Sequence, residues 1–300
     1  MRLFGADRRV MVAAAVGALN VGCTEVPNDD GDPVVAQADH EAVTSFDGVS
    51  IAYETFGAGA VALMFVHGWS CDRSYWREQM GPFSASFRTV SVDLAGHGES
   101  GDEREAWTIA GYGADVAAVA EGLDLSQIIL VGHSLGGDAV VSAARLLGEK
   151  VLGLIWVDDY SQLGAVRTAD QVSEFLAPFQ EDFSGYTYAL VREAMFPPTA
   201  DPSLVERVAR DMSSAPPAIA LPSLRSSITN DRVVPSELEK LALPVVSLNP
   251  AISNPDVESL EEHGVSVILV PELGHFMMLE DPEAFNVILM DAVQRILAAR

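Results

Sequence analysis

From Glu41 onward the chain alternates short apolar runs with longer stretches of helical spacing. "AVTSFDGVSIAYETFG" predicts two strands that turn back at Asp47-Gly48, a dipeptide suited to hairpins. "SQIILVGH" is an apolar run with little polar alternation, as expected of a strand buried on both faces, and "VALMFVHG" reads as another buried strand; "RTVSVD", "VLGLIWVDD", "LPVVSLNP" and "VSVILVP" read as further strands. Between them, "SYWREQMGPFS", "TIAGYGADVAAVAEGL", "LGGDAVVSAARLLGE" and "PDVESLEEHG" read as helices, with Gly148 placed to end the third. "PEAFNVILMDAVQRILAAR" closes the chain as an amphipathic helix. Strands alternating with helices predict an α/β domain over 41–300, built on a mainly parallel eight-stranded sheet with helices on both faces.

One stretch breaks the alternation. From about 160 to 234 the pattern gives several short helices, interrupted by "FPPTADP" and "SSAPPAIALP". An insertion of this size above a parallel sheet predicts a helical lid. Its aromatics, among them Phe175, Phe179, Phe183, Tyr186, Tyr188 and Phe196, are expected mostly to pack the lid onto the core, with some lining a pocket.

The first forty residues follow different rules. Arg2, Arg8 and Arg9 precede the apolar "VMVAAAVGALNV", too short to cross a bilayer comfortably. Residues 1–22 therefore read as an export signal, and 23–40 as a polar, disordered tether. Gly22-Cys23 resembles the lipidation site of bacterial lipoproteins, although Asn20 stands where that motif takes an apolar residue. The expectation is an exported protein: a periplasmic or membrane-anchored lipoprotein held through lipidated Cys23, or a secreted one with an ordinary cleaved signal. Cys71 lies inside the domain, and no Cys23–Cys71 disulfide is expected.

Charge narrows the partners. A net charge of −25 would repel nucleic acid, and of the 18 basic residues only two, Lys150 and Lys240, are lysines. The acidity is read as a property of the surface, without catalytic meaning. The composition leaves the oligomeric state open.

The chemistry gathers around "VGHSLGGDAV", where a strand gives way to a helix at Ser134. Gly132 and Gly136 complete G-x-S-x-G, in which absent side chains let strand and helix pass close to a strained, raised serine. A serine hydroxyl needs a base, usually histidine. Of six histidines, His40 falls in the tether, His263 in a charged helix, and His133 points to the opposite strand face from its neighbours. His67 and His97 sit beside glycines at strand ends. His275, in "PELGHFMMLEDPEAF", follows the last strand at the sheet edge where open α/β sheets form their sites, and is the expected base.

Four pieces, "FVHGWS", "DLAGHGES", "GHSLGG" and the late "GHF", occur in order, and with them the chain from about Glu41 resembles the α/β-hydrolase superfamily. The resemblance implies the α/β-hydrolase fold and an oxyanion hole of two backbone amides, those of Trp69 and Leu135. It also implies an acid that orients His275. Many relatives carry it after the next-to-last strand, where this chain has Ser253 and, three residues later, Asp256. A minority carry it one strand earlier, here Asp158 or Asp159. Asp158 is preferred at the strand end, Asp256 is read as a helix cap, and Asp159 as a hinge or a solvated charge. The implied activity is that of a serine esterase on small-molecule esters, without cofactor or metal. Lactone hydrolysis, C–C-bond hydrolysis and perhydrolysis are alternatives on the same fold, and a catalytically silent binding protein is the alternative of another class.

Overall fold

A computed structural model describes residues 39–300. The expected signal, the expected tether up to residue 38 and Cys23 lie outside the described residues. The backbone forms β1 (Asp39–Thr44), β2 (Ser50–Phe56), β3 (Ala62–Val66), α1 (Arg77–Ser84), β4 (Arg88–Val92), α2 (Ile109–Gly122), β5 (Ile128–His133), α3 (Leu135–Leu147) and β6 (Val151–Val157). Five helices follow: α4 (Ala169–Glu181), α5 (Phe183–Ala194), α6 (Pro202–Ser213), α7 (Pro217–Asn230) and α8 (Val234–Leu241). Then come β7 (Val245–Pro250), α9 (Val257–Glu262), β8 (Val265–Val270), α10 (Met277–Glu280) and α11 (Pro282–Ala298).

The strands form one eight-stranded sheet in the order β1-β2-β4-β3-β5-β6-β7-β8. Only β2 runs against its neighbours β1 and β4; the other pairings are parallel. Every residue of β3 and β5 is buried, which is why these strands carry unbroken apolar runs. β1 starts earlier than the pattern predicts. Asp39 pairs with Thr55 and His40 with Glu54, so His40 belongs to a strand rather than to a tether. Polar residues can occupy this position because β1 is an edge strand.

Helices α4 to α7 fill the stretch predicted as a lid, and α8 returns the chain to the sheet against α3. Phe179, Phe183 and Phe196 are buried, while Phe175 and Tyr186 stay largely exposed. Tyr75, from the segment after β3, donates to Asp211 at 2.6 Å and ties α6 to the core. Asp182 and Asp201 cap α5 and α6 through their side chains, so the polar residues between the lid helices set where each one starts.

Candidate active site

Ser134 stands between β5 and α3 with φ 50° and ψ −130°, a conformation that side chains rarely adopt. Glycines on either side make this turn feasible. A Cβ on Gly132 would lie 2.3 Å from the Gly136 carbonyl, and one on Gly136 would lie 2.5 Å from that of Val66. The close pass of helix and strand inferred from the glycine spacing is therefore real. The Ser134 amide donates to the Val157 carbonyl at 3.0 Å, continuing the ladder of β5 on β6 past the strand end.

The next strand continues in the same way. The Asp158 amide donates to Leu248 of β7 at 2.9 Å, and Asp158 itself has φ 45°. Its Oδ2 lies 2.7 Å from His275 Nδ1, with each side chain less than a fifth exposed. The His275 loop is held by its backbone. The His275 amide donates to the Met195 carbonyl at 2.9 Å, and Glu280 accepts from the amides of Gly274 and Phe276 at 2.9 and 3.1 Å. With Nδ1 committed to Asp158, Nε2 is the nitrogen left to exchange protons.

Leu135 is the first residue of α3, so its amide is one of the unpaired donors at a helix start, where the dipole favours negative charge. The loop carrying Trp69 passes directly over Ser134: a Cβ on Gly68 would meet Ser134 Cβ at 3.2 Å. His67 shapes this loop, donating from Nδ1 to the Gly68 carbonyl at 2.8 Å and accepting at Nε2 from the Leu94 amide at 3.0 Å. Burial pushes the His67 pKa down to about 4, so the ring stays neutral and keeps one donor and one acceptor. The Trp69 ring is taken up by the lid. Its Nε1 donates to the Ala220 carbonyl of α7 at 2.7 Å, and it meets Phe179 and Phe183 edge-on.

The other acids differ from their expected roles in one case. Asp256 accepts from the Ser259 amide at 3.1 Å as the cap of α9, and Ser253 donates to the Pro250 carbonyl at 2.8 Å. Asp159 is half-buried, with its carboxyl turned inward, rather than a solvated charge. Strand alternation turns it away from Asp158 onto the first turn of α3, where a Cβ on Gly137 would lie 2.0 Å from its Oδ2. That oxygen is buried without a partner, and burial, reinforced by Asp138, Asp231 and Asp158, pushes the carboxyl well above the usual range.

Asp138 beside it was not singled out in the sequence. Its carboxylate accepts from Tyr160, from Ser227 Oγ at 2.6 Å and from Asn230 Nδ2 at 2.7 Å, joining α3 to α7. Burial pushes Asp138 up to about 6. A carboxyl raised on folding adds stability below about pH 4, and that contribution is lost as pH rises through its folded value. Wild type should therefore lose melting temperature between about pH 4 and 6.5 through this group, and Asp138→Asn should show a shallower slope there. Parallel slopes in thermal scans across that window would refute the assignment.

A cavity of about 700 Å³, lined among others by Arg145, Glu237 and Lys240, lies toward the far end of α3. At 1.5 Å per residue it is some ~20 Å from Ser134 and holds none of the groups described above. The chemistry therefore places the site at the sheet edge rather than in that cavity.

The sequence profile of the alpha/beta hydrolase family matches residues 63–287, and the chain belongs to this family. It is similar to 3-oxoadipate enol-lactonase 2 of Acinetobacter baylyi, 27% identical over 79% of this chain and 91% of that protein. It is also similar to a non-heme chloroperoxidase of Streptomyces lividans, 38% identical over 33% of this chain and 36% of the relative. The chain thus spans little more than a third of several curated relatives that it matches. A thermophilic esterase from Thermogutta terrifontis superposes with a TM-score of 0.72, at 24% identity, covering 87% of this chain and 99% of the esterase, and shares its fold.

Proposed function

We propose that the protein is a serine hydrolase that cleaves carboxylic esters of small to medium acyl groups through an acyl-enzyme on Ser134. The observation that carries this reading is the 2.7 Å contact between His275 Nδ1 and Asp158 at the sheet edge where the strained Ser134 stands. Ser134 Oγ attacks the ester carbonyl while His275 Nε2 takes its proton. The amides of Leu135 and Trp69 receive the negative charge that develops on the carbonyl oxygen, a contribution worth about 10²–10³ in rate per donor. His275 returns the proton to the departing alcohol. A water, deprotonated by the same nitrogen, then releases the acid and restores Ser134. Asp158 keeps the imidazole in the tautomer that exposes Nε2 and stabilises its charged form.

Lactones are the second reading. A lactone is a cyclic ester, and a relative aligned along 91% of its own length is named an enol-lactonase. Both readings use the same groups and differ in the shape of the space under the lid. A series of p-nitrophenyl esters from acetate to palmitate, tested on the full chain beside simple lactones, separates them. The expected result is highest kcat/KM on the short and medium esters, falling toward palmitate. No turnover of any ester, or a preference for palmitate with activation at an interface, would sink the proposal.

A further inference from the structure

His133, the residue before the nucleophile, plays no part in the mechanism above. Yet it touches both loops on which that mechanism depends. It ends β5 and is 1% exposed. Its Nε2 lies 2.9 Å from the backbone carbonyl of His275, and the two ring centroids are 4.5 Å apart. On the other side it abuts the oxyanion loop, where a Cβ on Gly68 would lie 2.8 Å from His133 Nδ1. Trp76 and Phe276 close the remaining sides, with ring centroids at 6.4 and 5.3 Å.

Packing alone does not account for an imidazole here. Nδ1 is buried without a hydrogen-bond partner, a cost that an apolar side chain of similar size would avoid. What the imidazole supplies is an N–H at Nε2, and its acceptor is the base's own peptide carbonyl. The His275 amide is already bound to Met195, so His133 completes a grip on both polar groups of that residue's backbone.

We propose that His133 is a positioning residue of the catalytic centre: its Nε2–H, wedged between the His275 and Gly68 loops, sets the height and orientation at which His275 meets Asp158. This rests on the serine-hydrolase reading above. The ring must be neutral for this task. Burial, and then the neighbouring His275, push its pKa well below the ordinary histidine value. Neutrality also avoids a second positive charge beside the imidazolium that forms on His275 during turnover.

The test compares His133→Phe, which fills the pocket without an N–H, with His133→Gln, which offers one. Each full-length variant is assayed for kcat and KM on p-nitrophenyl butyrate and for melting temperature. The downfield proton resonance of His275 Nδ1–H is recorded as well. His133→Phe should keep KM within about twofold and lose about tenfold or more in kcat. Its downfield resonance should shift or broaden. His133→Gln should recover most of kcat and the resonance. If His133→Phe does not fold, His133→Met, long and without a donor, takes its place. Wild-type kcat in the donor-less variant, or equal losses in the Phe and Gln variants, would overturn the assignment. Ser134→Ala is run alongside. If that variant is active, the triad reading fails; if it is inactive while His133→Phe is unimpaired, only the role of His133 fails.

Discussion

Replacing Ser134 by alanine should lower kcat for ester hydrolysis by about 10⁶, with the melting temperature nearly unchanged. The size follows from what is lost. Without the hydroxyl no acyl-enzyme forms, and His275 and Asp158 have no proton to move, so the triad fails as a unit. The amides of Leu135 and Trp69 remain, and binding with oxyanion stabilisation alone leaves a residual acceleration over water of about 10³–10⁴. Stability is spared because Ser134 is only half-buried and alanine faces the same φ of 50° as serine. Steady-state kinetics with active-site titration check this. Residual activity above about a thousandth of wild type would point to another nucleophile.

The second large effect belongs to the acid. Asp158→Asn should lower kcat by about 10⁴ and leave KM nearly unchanged, because an amide can turn its NH₂ toward Nδ1 and favour the imidazole tautomer that lacks a free Nε2. Asp256→Asn should cost little: its side chain caps α9, and asparagine caps about as well. Asp159→Asn should also spare the tautomer, since that carboxyl faces Gly137 and not His275. Kinetics of the three variants on one ester give the ranking. A loss with Asp256→Asn that exceeds the loss with Asp158→Asn would contradict the 2.7 Å contact as the working one.

The sheet was readable because strands buried on both faces must be apolar throughout, and β3, β5 and β6 carry that pattern without interruption. The turn at Ser134 was readable because only glycine fits where helix and strand nearly touch, and Gly132 and Gly136 mark both sides of the contact. Asp158 could be preferred because the resemblance to the superfamily implies an acid at this strand end, and a strand end is a defined place in a parallel sheet. Asp159 shows where such reasoning stops. Alternation gives its direction, but the nearby charges of Asp138 and Asp231, which raise its carboxyl together with burial, come from elements whose placement periodicity does not give. The Asp138 hub has the same origin, since Ser227 and Asn230 come from 89 and 92 residues further along the chain. His133 was set aside because strand alternation turns it away from its neighbours. It nevertheless reaches the carbonyl of a residue 142 positions later, a contact with no local signal in the sequence.

The most direct measurement is covalent. The full-length protein is treated with a fluorophosphonate probe, which acylation-competent serines attack, and the adduct is mapped by peptide mass spectrometry. One adduct per chain, on the peptide carrying Ser134, with loss of esterase activity in proportion to labelling and no adduct in Ser134→Ala, is the predicted result. An esterase that stays active and unlabelled, or that carries its adduct on another residue, would contradict Ser134 as the nucleophile.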